Sequence, residues 1–387
     1  MLALVSAKTQ SASHARNNRH FGSFLGAEYP VFIGLVTVAI FWGTGSRLVE
    51  IIGHPIALIV VFLSLFAVIL WSAISVVHHA DCLAIKWGEP YGTLVLTLSA
   101  ITIEVEMIST AMLHGANNPT LGRDAIFSVV MIALNGFVGL CLLMGGLSYR
   151  EQHYNLQGVN SYLNVIMTLA VIGLVLPNFT TTTGGPTLST EQTIFLIVAC
   201  LVLYAISLLI QTMRHRLYFI DADDAVPAKS AHHSVQLRAT GFHVVMLFLY
   251  MTIVILLAEK FAIPLDNSIE KFGMPQEFGG AMIAALVLSP EGLGAVRASL
   301  HNQLQRSVNI LLGSVLATIG LTIPAVLTIS LITKRPVILG VQGGNLPLLL
   351  LTLAVSVVTF TSRKTNILQG CVHLLLFGLF VLLIFAP

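Results

Sequence analysis

Residues 286–302 read LVLSPEGLGAVRASLHN and place a proline and a carboxylate side by side within a long apolar run. Pro290 removes one backbone hydrogen bond from any helix it joins, and Glu291 puts an ionisable group among apolar neighbours. A carboxylate at the centre of a membrane helix costs about 2.5–3.5 kcal/mol on an insertion scale, and such groups usually mark a functional site. The first question is therefore whether this run crosses a membrane.

The composition of the chain indicates that it does. Of the 387 residues, 56% are hydrophobic and 9% are charged, and the mean hydropathy is +0.89. An ordinary soluble domain has about 25% charged residues. The composition therefore predicts an all-α polytopic membrane protein, with the lipid bilayer as its first partner. The basic residues are scattered over short loops, so nothing indicates binding to nucleic acid.

Eleven segments are apolar enough to cross the hydrocarbon core, which takes about 20 residues in a helix. They are residues 30–46, 55–77, 90–113, 124–147, 160–177, 191–212, 240–259, 277–300, 307–332, 336–360 and 366–386. With the N-terminus in the cytoplasm, 13 of the 19 basic residues lie on the cytoplasmic side and six lie outside. The positive-inside rule thus predicts a cytoplasmic N-terminal tail, residues 1–29, without a removable signal peptide, and an external C-terminus.

The longest polar segment, residues 213–239, is acidic and His-rich and is interpreted as a cytoplasmic linker. It separates residues 30–212, the first span plus five more, from residues 240–387, which hold the last five spans. The four cysteines lack the spacing of a zinc site and are predicted to be buried thiols; they are Cys82, Cys141, Cys200 and Cys371.

The two halves share a motif in which a Glu is followed, after eight residues, by Leu-His. It occurs at residues 104–114 and again at residues 291–301, 187 positions later. On the predicted topology, the loop after the first copy is external and the loop after the second is cytoplasmic, so the repeats are inverted. We expect the repeats to centre on residues 88–147 and 277–332. Inverted repeats with a binding site near the bilayer midplane are typical of transporters.

Three of the 17 acidic residues lie deep within predicted spans: Glu104, Glu106 and Glu291. Glu104 and Glu106 lie about 200° apart around a helix, so they cannot face the same cavity. The repeat pairs Glu104 with Glu291. Two facing carboxylates match one divalent ion, one or two monovalent ions, or protons, and desolvation favours the protonated form. Competition between cations and protons for the same oxygens is the minimum chemistry of an antiporter.

Other residues near this pair could supply oxygen ligands or irregular backbone. Candidates for supporting ligands are Asn135, Ser314, Ser128, Thr318, Glu106 and Ser289. For the small and hydroxyl residues the alternative role is helix packing. For Glu106 the alternative is that its carboxyl group is protonated or paired with a neighbouring helix. Pro290 and Gly292 are expected to break the eighth helix and free carbonyl oxygens, which suit Ca²⁺, Na⁺ or K⁺. His114 and His301 are expected to be interfacial, with proton access or pH sensing as the alternative.

Three segments resemble the bacterial sodium/calcium–proton antiporters of the calcium/cation antiporter superfamily. They are GEPYGTLVLTLSAITIEVEM (88–107), RDAIFSVVMIALNGFVGL (123–140) and SPEGLGAVRASLHNQLQRSVNILLGSVLATIGLTIP (289–324). The resemblance implies eleven helices, two inverted repeats, one essential Glu in each repeat, at Glu104 and Glu291, and a place in a bacterial inner membrane.

Two departures from the family pattern leave ion selectivity open. The wider cation/proton exchanger group has Gly-Asn shortly before each essential Glu, whereas residues 100–103 read AITI and residues 287–290 read VLSP. An amide expected late in the ninth span is replaced near Thr318.

We therefore expect a secondary transporter that exchanges cytoplasmic Ca²⁺ or Na⁺, with K⁺ as a further candidate, for external protons. It is expected to need no cofactor beyond the transported ions. A channel or uniporter is the alternative, although a ring of ligands from several subunits would suit a channel better. An intramembrane enzyme is a weaker alternative, because the H-E-x-x-H, G-x-S-x-G and P-loop motifs are absent. The sequence leaves the oligomeric state open, a homo-oligomer included.

Overall fold

The computed structural model describes residues 28–45, 47–88, 91–114, 118–219, 238–362 and 364–386. Within these residues the chain forms eleven long helices, which confirms the prediction of an all-α protein with eleven helices. They are α1 (Tyr29–Thr44), α2 (Pro55–Trp87), α3 (Tyr91–His114), α4 (Leu121–Tyr149), α5 (Leu156–Asn178), α6 (Thr190–Arg214), α7 (Thr240–Phe272), α8 (Glu277–Leu300), α9 (Leu304–Thr333), α10 (Asn345–Thr359) and α11 (Ile367–Phe385). Almost all of the predicted tail (1–27) and most of the predicted linker (220–237) lie outside the described residues.

The outer surface of the bundle is apolar, as a membrane protein requires. Among the described residues, eight helices are long and apolar enough to cross a membrane: α2, α4 to α9 and α11. Large apolar side chains point outward from them; Ile56 on α2 is 78% exposed and Leu375 on α11 is 73% exposed. Cys371 on α11 is also exposed, so the prediction of a buried thiol is wrong there, because this face of the helix is turned away from the bundle. The other three cysteines are buried and free.

Several helix ends differ from the predicted spans because apolarity reports only the part of a helix that lies in hydrocarbon. Helices α2 and α7 each have 33 residues and run ten or more residues past the predicted ends at 77 and 259. Helix α10 begins at Asn345 rather than at 336. The preceding segment is not helical, and its backbone instead bonds to neighbouring elements: Ile338 N–H donates to Pro119 O at 3.0 Å, and Val341 N–H donates to Leu174 O at 2.7 Å.

Helix α4 lies between α8 and α11 at distances that only glycine permits. A Cβ atom on Gly280 of α8 would lie 2.6 Å from the backbone nitrogen of Ala125 in α4. A Cβ atom on Gly370 of α11 would lie 2.6 Å from the backbone nitrogen of Leu143, also in α4. We call α8, α4 and α11 the glycine-packed core, because the backbones themselves are in contact.

Helices α2 and α7 pack along each other through large side chains. The ring of Phe261 on α7 lies 5.1 Å from that of Phe62 and 6.3 Å from that of Phe66, both on α2. Helix α1 joins this pair where Gly34 approaches the side chain of Ile253 on α7. The α1–α2–α7 group thus flanks the glycine-packed core.

Four helices contain π-helical turns, which insert an extra residue per turn and occur often at functional sites. They are residues 132–137 in α4, 171–175 in α5, 210–214 in α6 and 318–322 in α9. In contrast, α8 continues as an α-helix through Pro290 and Gly292, so the predicted helix break is wrong. A proline removes only one hydrogen bond, and membrane helices tolerate that loss where neighbouring groups compensate.

Candidate cation and proton site

Glu104 and Glu291 project from α3 and α8 into the interior of the bundle. Glu104 is 2% exposed, whereas Glu291 is partly exposed. The two carboxylates are close enough to interact electrostatically. The structure therefore brings the two glutamates of the sequence repeat into one site.

One face of α9 presents a row of hydroxyl groups to both carboxylates. Ser314, Thr318 and Thr322 are spaced four residues apart, and we call them the hydroxyl row. The Thr318 hydroxyl donates a 2.8 Å hydrogen bond to Oε2 of Glu104, and Thr322 faces the same carboxylate. Ser314 interacts with Glu291. Thr318 and Thr322 are the two ends of the π-helical turn of α9, so this irregular turn presents the row to Glu104.

Two oxygens in this site have no hydrogen-bond partner among the described residues. They are Oε1 of Glu104 and the hydroxyl oxygen of Thr322, and both are fully buried. A buried polar atom without a partner costs about 1–3 kcal/mol. A proton or a cation between these oxygens would relieve that cost. Carboxylate and hydroxyl oxygens are hard ligands that suit Na⁺, K⁺ or Ca²⁺.

Gly292 allows α8 to approach α4 next to Glu291. A Cβ atom at this position would lie 2.2 Å from the ring of Phe137, which ends the π-helical turn of α4. Gly292 is therefore needed for close packing, which fixes the position of the neighbouring carboxylate.

Asn135, a predicted supporting ligand, makes its hydrogen bonds to α10 and α11. Its Nδ2 donates to the Thr352 hydroxyl at 2.8 Å, and its Oδ1 lies 3.2 Å from Nδ1 of His373. Nε2 of His373 lies 3.0 Å from the Thr359 hydroxyl. Sequence reasoning missed this network, since Thr352 and His373 look like ordinary polar residues of membrane helices.

The other predicted ligands have diverse positions. Glu106 is partly exposed and accepts a 3.1 Å hydrogen bond from Thr110 on its own helix. Ser128 is buried in α4. The Ser289 hydroxyl donates to the carbonyl of Ala285 at 2.5 Å, so this donor is already used within α8. Direct roles for these residues stay predictions.

The two predicted histidines lie at helix ends. His301 is exposed, and its Nδ1 lies 2.7 Å from the carbonyl of Arg297. The side chain of His114 lies outside the part of the chain that the structure describes.

Sequence reasoning overlooked Asp81, which interacts electrostatically with Glu291 and with Arg306. Its position beyond the predicted end of α2 explains the omission.

The fold defines a polytopic helical membrane protein, and the carboxylate pair lies in the interior of its helix bundle. Residues 57–213 and 242–386 match the family described as sodium/calcium exchanger protein, and the chain belongs to this family. This result confirms the superfamily that the three sequence segments indicated.

The chain is similar over nearly all of its length to several known proteins. It is 36% identical over 385 residues to the sodium-potassium/proton antiporter ChaA of Escherichia coli strain K12, covering 97% of this chain and 100% of that protein. The structure of native YfkE superposes with a TM-score of 0.70 at 16% identity, covering 94% of this chain and 99% of that one. The H⁺/Ca²⁺ exchanger CAX gives a TM-score of 0.64 at 14% identity, covering 92% and 89%. These two structures show a shared fold.

Proposed function

We propose that this protein exchanges cytoplasmic Na⁺, K⁺ or Ca²⁺ for external protons across a bacterial inner membrane. The observation that carries the proposal is the pair of interacting carboxylates, Glu104 and Glu291, facing one hydroxyl row on α9. The names of its relatives support it: ChaA of Escherichia coli is a sodium-potassium/proton antiporter, and a relative from Aphanothece halophytica, 24% identical, is a Ca²⁺/H⁺ antiporter.

The two carboxylates can neutralise a cation or accept protons, but not both at once. When a cation binds, both groups are ionised, and the hydroxyls of α9 add neutral oxygen ligands. When protons bind, the negative charge that attracts the cation is lost. Because the two groups interact, protonation of one changes the proton affinity of the other. Cation and protons therefore displace each other, which couples their movements in opposite directions.

The exposure of the two carboxylates suggests the side from which the site loads in this state. Glu291 is partly exposed and lies nearer the bundle end at His301, whereas Glu104 is sealed. The distribution of basic residues favours a cytoplasmic position for that end and an external C-terminus. The site seen here would then take its cation from the cytoplasm, and alternating access would carry it to the other face.

Everted membrane vesicles with a pH-sensitive dye test the proposal. Added cation should release the protons stored in vesicles that contain the wild-type protein. Glu104→Gln and Glu291→Gln remove one charge each without changing side-chain size, so each should abolish exchange while the protein still inserts.

Glu50→Gln is the matched control, because Glu50 is exposed and lies between α1 and α2. It should exchange normally. Full activity in either site variant would overturn the site assignment. Cation flux without proton release would instead identify a channel or uniporter.

A further inference from the structure

A second polar cavity lies among α1, α2 and α7, apart from the carboxylate pair. Its volume is about 510 Å³, and it is bordered by Glu28, His79, His243, Tyr250 and Arg238, among others. These residues come from the start of α1, the last part of α2 and the start of α7. On the predicted topology the cavity therefore lies at the cytoplasmic end of the bundle.

A chain of buried polar contacts links the three helices at this cavity. Nδ1 of His79 lies 3.0 Å from Nδ1 of His243, and Nε2 of His79 lies 3.5 Å from Oε2 of Glu28. The Tyr250 hydroxyl donates to the same Glu28 oxygen at 3.3 Å. His79 and His243 are 1% and 3% exposed.

The hydrogen-bond pattern assigns the proton on each imidazole. The two facing Nδ1 atoms share one proton, because a neutral imidazole has one donor and one acceptor nitrogen. If His79 held it, the bare Nε2 of His79 would face the Glu28 carboxylate, acceptor against acceptor. The favourable arrangement has His243 Nδ1–H donating to His79, and His79 Nε2–H directed at Glu28.

This assignment leaves Nε2 of His243 as a bare proton acceptor. It is buried, the residue borders the cavity, and the nitrogen has no hydrogen-bond partner among the described residues. A proton can therefore be added at this nitrogen without displacing an existing hydrogen bond.

Charged and titratable groups face the histidine pair from each adjoining element. On α2 they are His78 and Lys86, on α7 Tyr250, just before α7 Arg238, and at the start of α1 Glu28. The Lys86 ammonium donates to the carbonyl of Arg238, and the Arg238 guanidinium lies 4.0 Å from Oε1 of Glu28. Glu28 favours a positive charge on the pair, whereas the burial of the rings and the three basic groups oppose it.

We propose that Nε2 of His243 is a regulatory proton site, separate from the transport carboxylates. A proton that binds Nε2 of His243 from the cavity leaves the His243–His79 hydrogen bond intact. It adds a positive charge to the series of hydrogen-bonded side chains that ends at the Glu28 carboxylate. The contact among α1, α2 and α7 becomes stronger, so rearrangement of these helices becomes slower. Exchange then slows as the pH at this end falls, and it accelerates when the proton leaves.

His243→Gln tests this site through its effect on the exchange rate, a measurement that rests on the proposed function. A glutamine amide can still donate to His79, but it cannot take up a proton. The pH at the cavity end is varied between about 5 and 7.5, with saturating cation and a fixed pH on the other side. The ratio of protonated to neutral His243 changes about tenfold per pH unit. We expect the maximal rate of the wild type to rise severalfold with pH and that of His243→Gln to stay within about twofold, with half-saturation by cation unchanged.

His153→Gln is the matched control, because His153 is an exposed histidine at the same end. It should keep the wild-type pH profile. Glu28→Gln removes the countercharge, so slowing should require a lower pH than in the wild type. A wild-type profile in His243→Gln would overturn the proposal, and so would an unshifted profile in Glu28→Gln. The second variant keeps the proposal testable if the first does not assemble.

Fluorescence of Trp71, which borders the cavity, reports proton binding without transport. With Trp42→Phe and Trp87→Phe, Trp71 is the single tryptophan of the chain. We expect its emission to titrate with pH and His243→Gln to remove that titration. If emission titrates but no exchange occurs, the proposed function fails and the proton site stands. If exchange occurs but Trp71 does not titrate in the wild type, the proton site fails.

Discussion

Replacing Thr318 by valine should weaken cation binding and move exchange to higher pH. The substitution keeps the shape of the side chain and removes the hydroxyl that donates to Oε2 of Glu104 at 2.8 Å. Glu104 already has one oxygen without a partner, so its other oxygen depends on this bond among the described residues. The charged, cation-binding form loses more from the change than the protonated form.

The size of the effect follows from the two kinds of hydrogen bond. A bond to a charged group contributes about 1.5–3 kcal/mol, and one between neutral groups about 0.5–1.5 kcal/mol. The difference, on the order of 1.4 kcal/mol, corresponds to a factor of about ten. We therefore expect half-saturation by cation to rise about tenfold at fixed pH. Since protons compete better for the altered carboxylate, the pH at which exchange reaches half its maximum should rise by about one unit.

The assay is cation titration in everted vesicles at several pH values, with protein amounts matched by immunoblot. Thr328→Val is the control, because Thr328 lies on the same helix and donates only to the carbonyl of Pro324, at 2.7 Å. The control should behave like the wild type. If Thr318→Val keeps its cation affinity within twofold at every pH, the hydroxyl row does not hold the transport carboxylate.

Two further predictions concern packing around the site. Gly292→Ala should destabilise the protein by about 1–3 kcal/mol and impair exchange, because its methyl group would overlap the Phe137 ring. Gly294→Ala should be neutral, because the space around its Cβ is open. Adding Phe137→Leu to Gly292→Ala should restore part of the melting temperature in detergent, and an unrestored melting temperature would argue against this contact. His373→Leu should lower thermal stability by about 1–3 kcal/mol, because it leaves Oδ1 of Asn135 buried without that partner; an unchanged melting temperature would contradict this assignment.

The two carboxylates that meet inside the bundle could be picked out because their physical cost is visible in the sequence. Glu104 and Glu291 interrupt apolar runs, and the repeated spacing to Leu-His pairs them. The partners of these groups were less predictable. Thr318 was a candidate, but a hydroxyl in a membrane helix serves packing as readily as ion binding. Thr322 lies on the same helix face as Thr318, four residues later, and it was missed because nothing in the sequence distinguishes it from a packing hydroxyl.

Two other features depend on tertiary contacts that apolarity does not record. The helix-breaking effect expected of Pro290 does not occur, because the packing of α8 sustains the helix around a single missing bond. His79 and His243 were overlooked for another reason. His79 lies past the predicted end of the second span, and His243 lies in the first turn of the seventh helix, where polar residues are common in membrane proteins.

The glycine contacts around α4 have a mechanical consequence. Where backbones touch, as at Gly280 with Ala125 and at Gly370 with Leu143, there is no clearance for one helix to slide on the other. Where contact is made by flexible or aromatic side chains, as between α2 and α7, rotamer changes can absorb a displacement. The glycine-packed core is therefore rigid and the α1–α2–α7 group is deformable, so a binder that recognises one conformation of the protein would have its epitope on α1, α2 and α7.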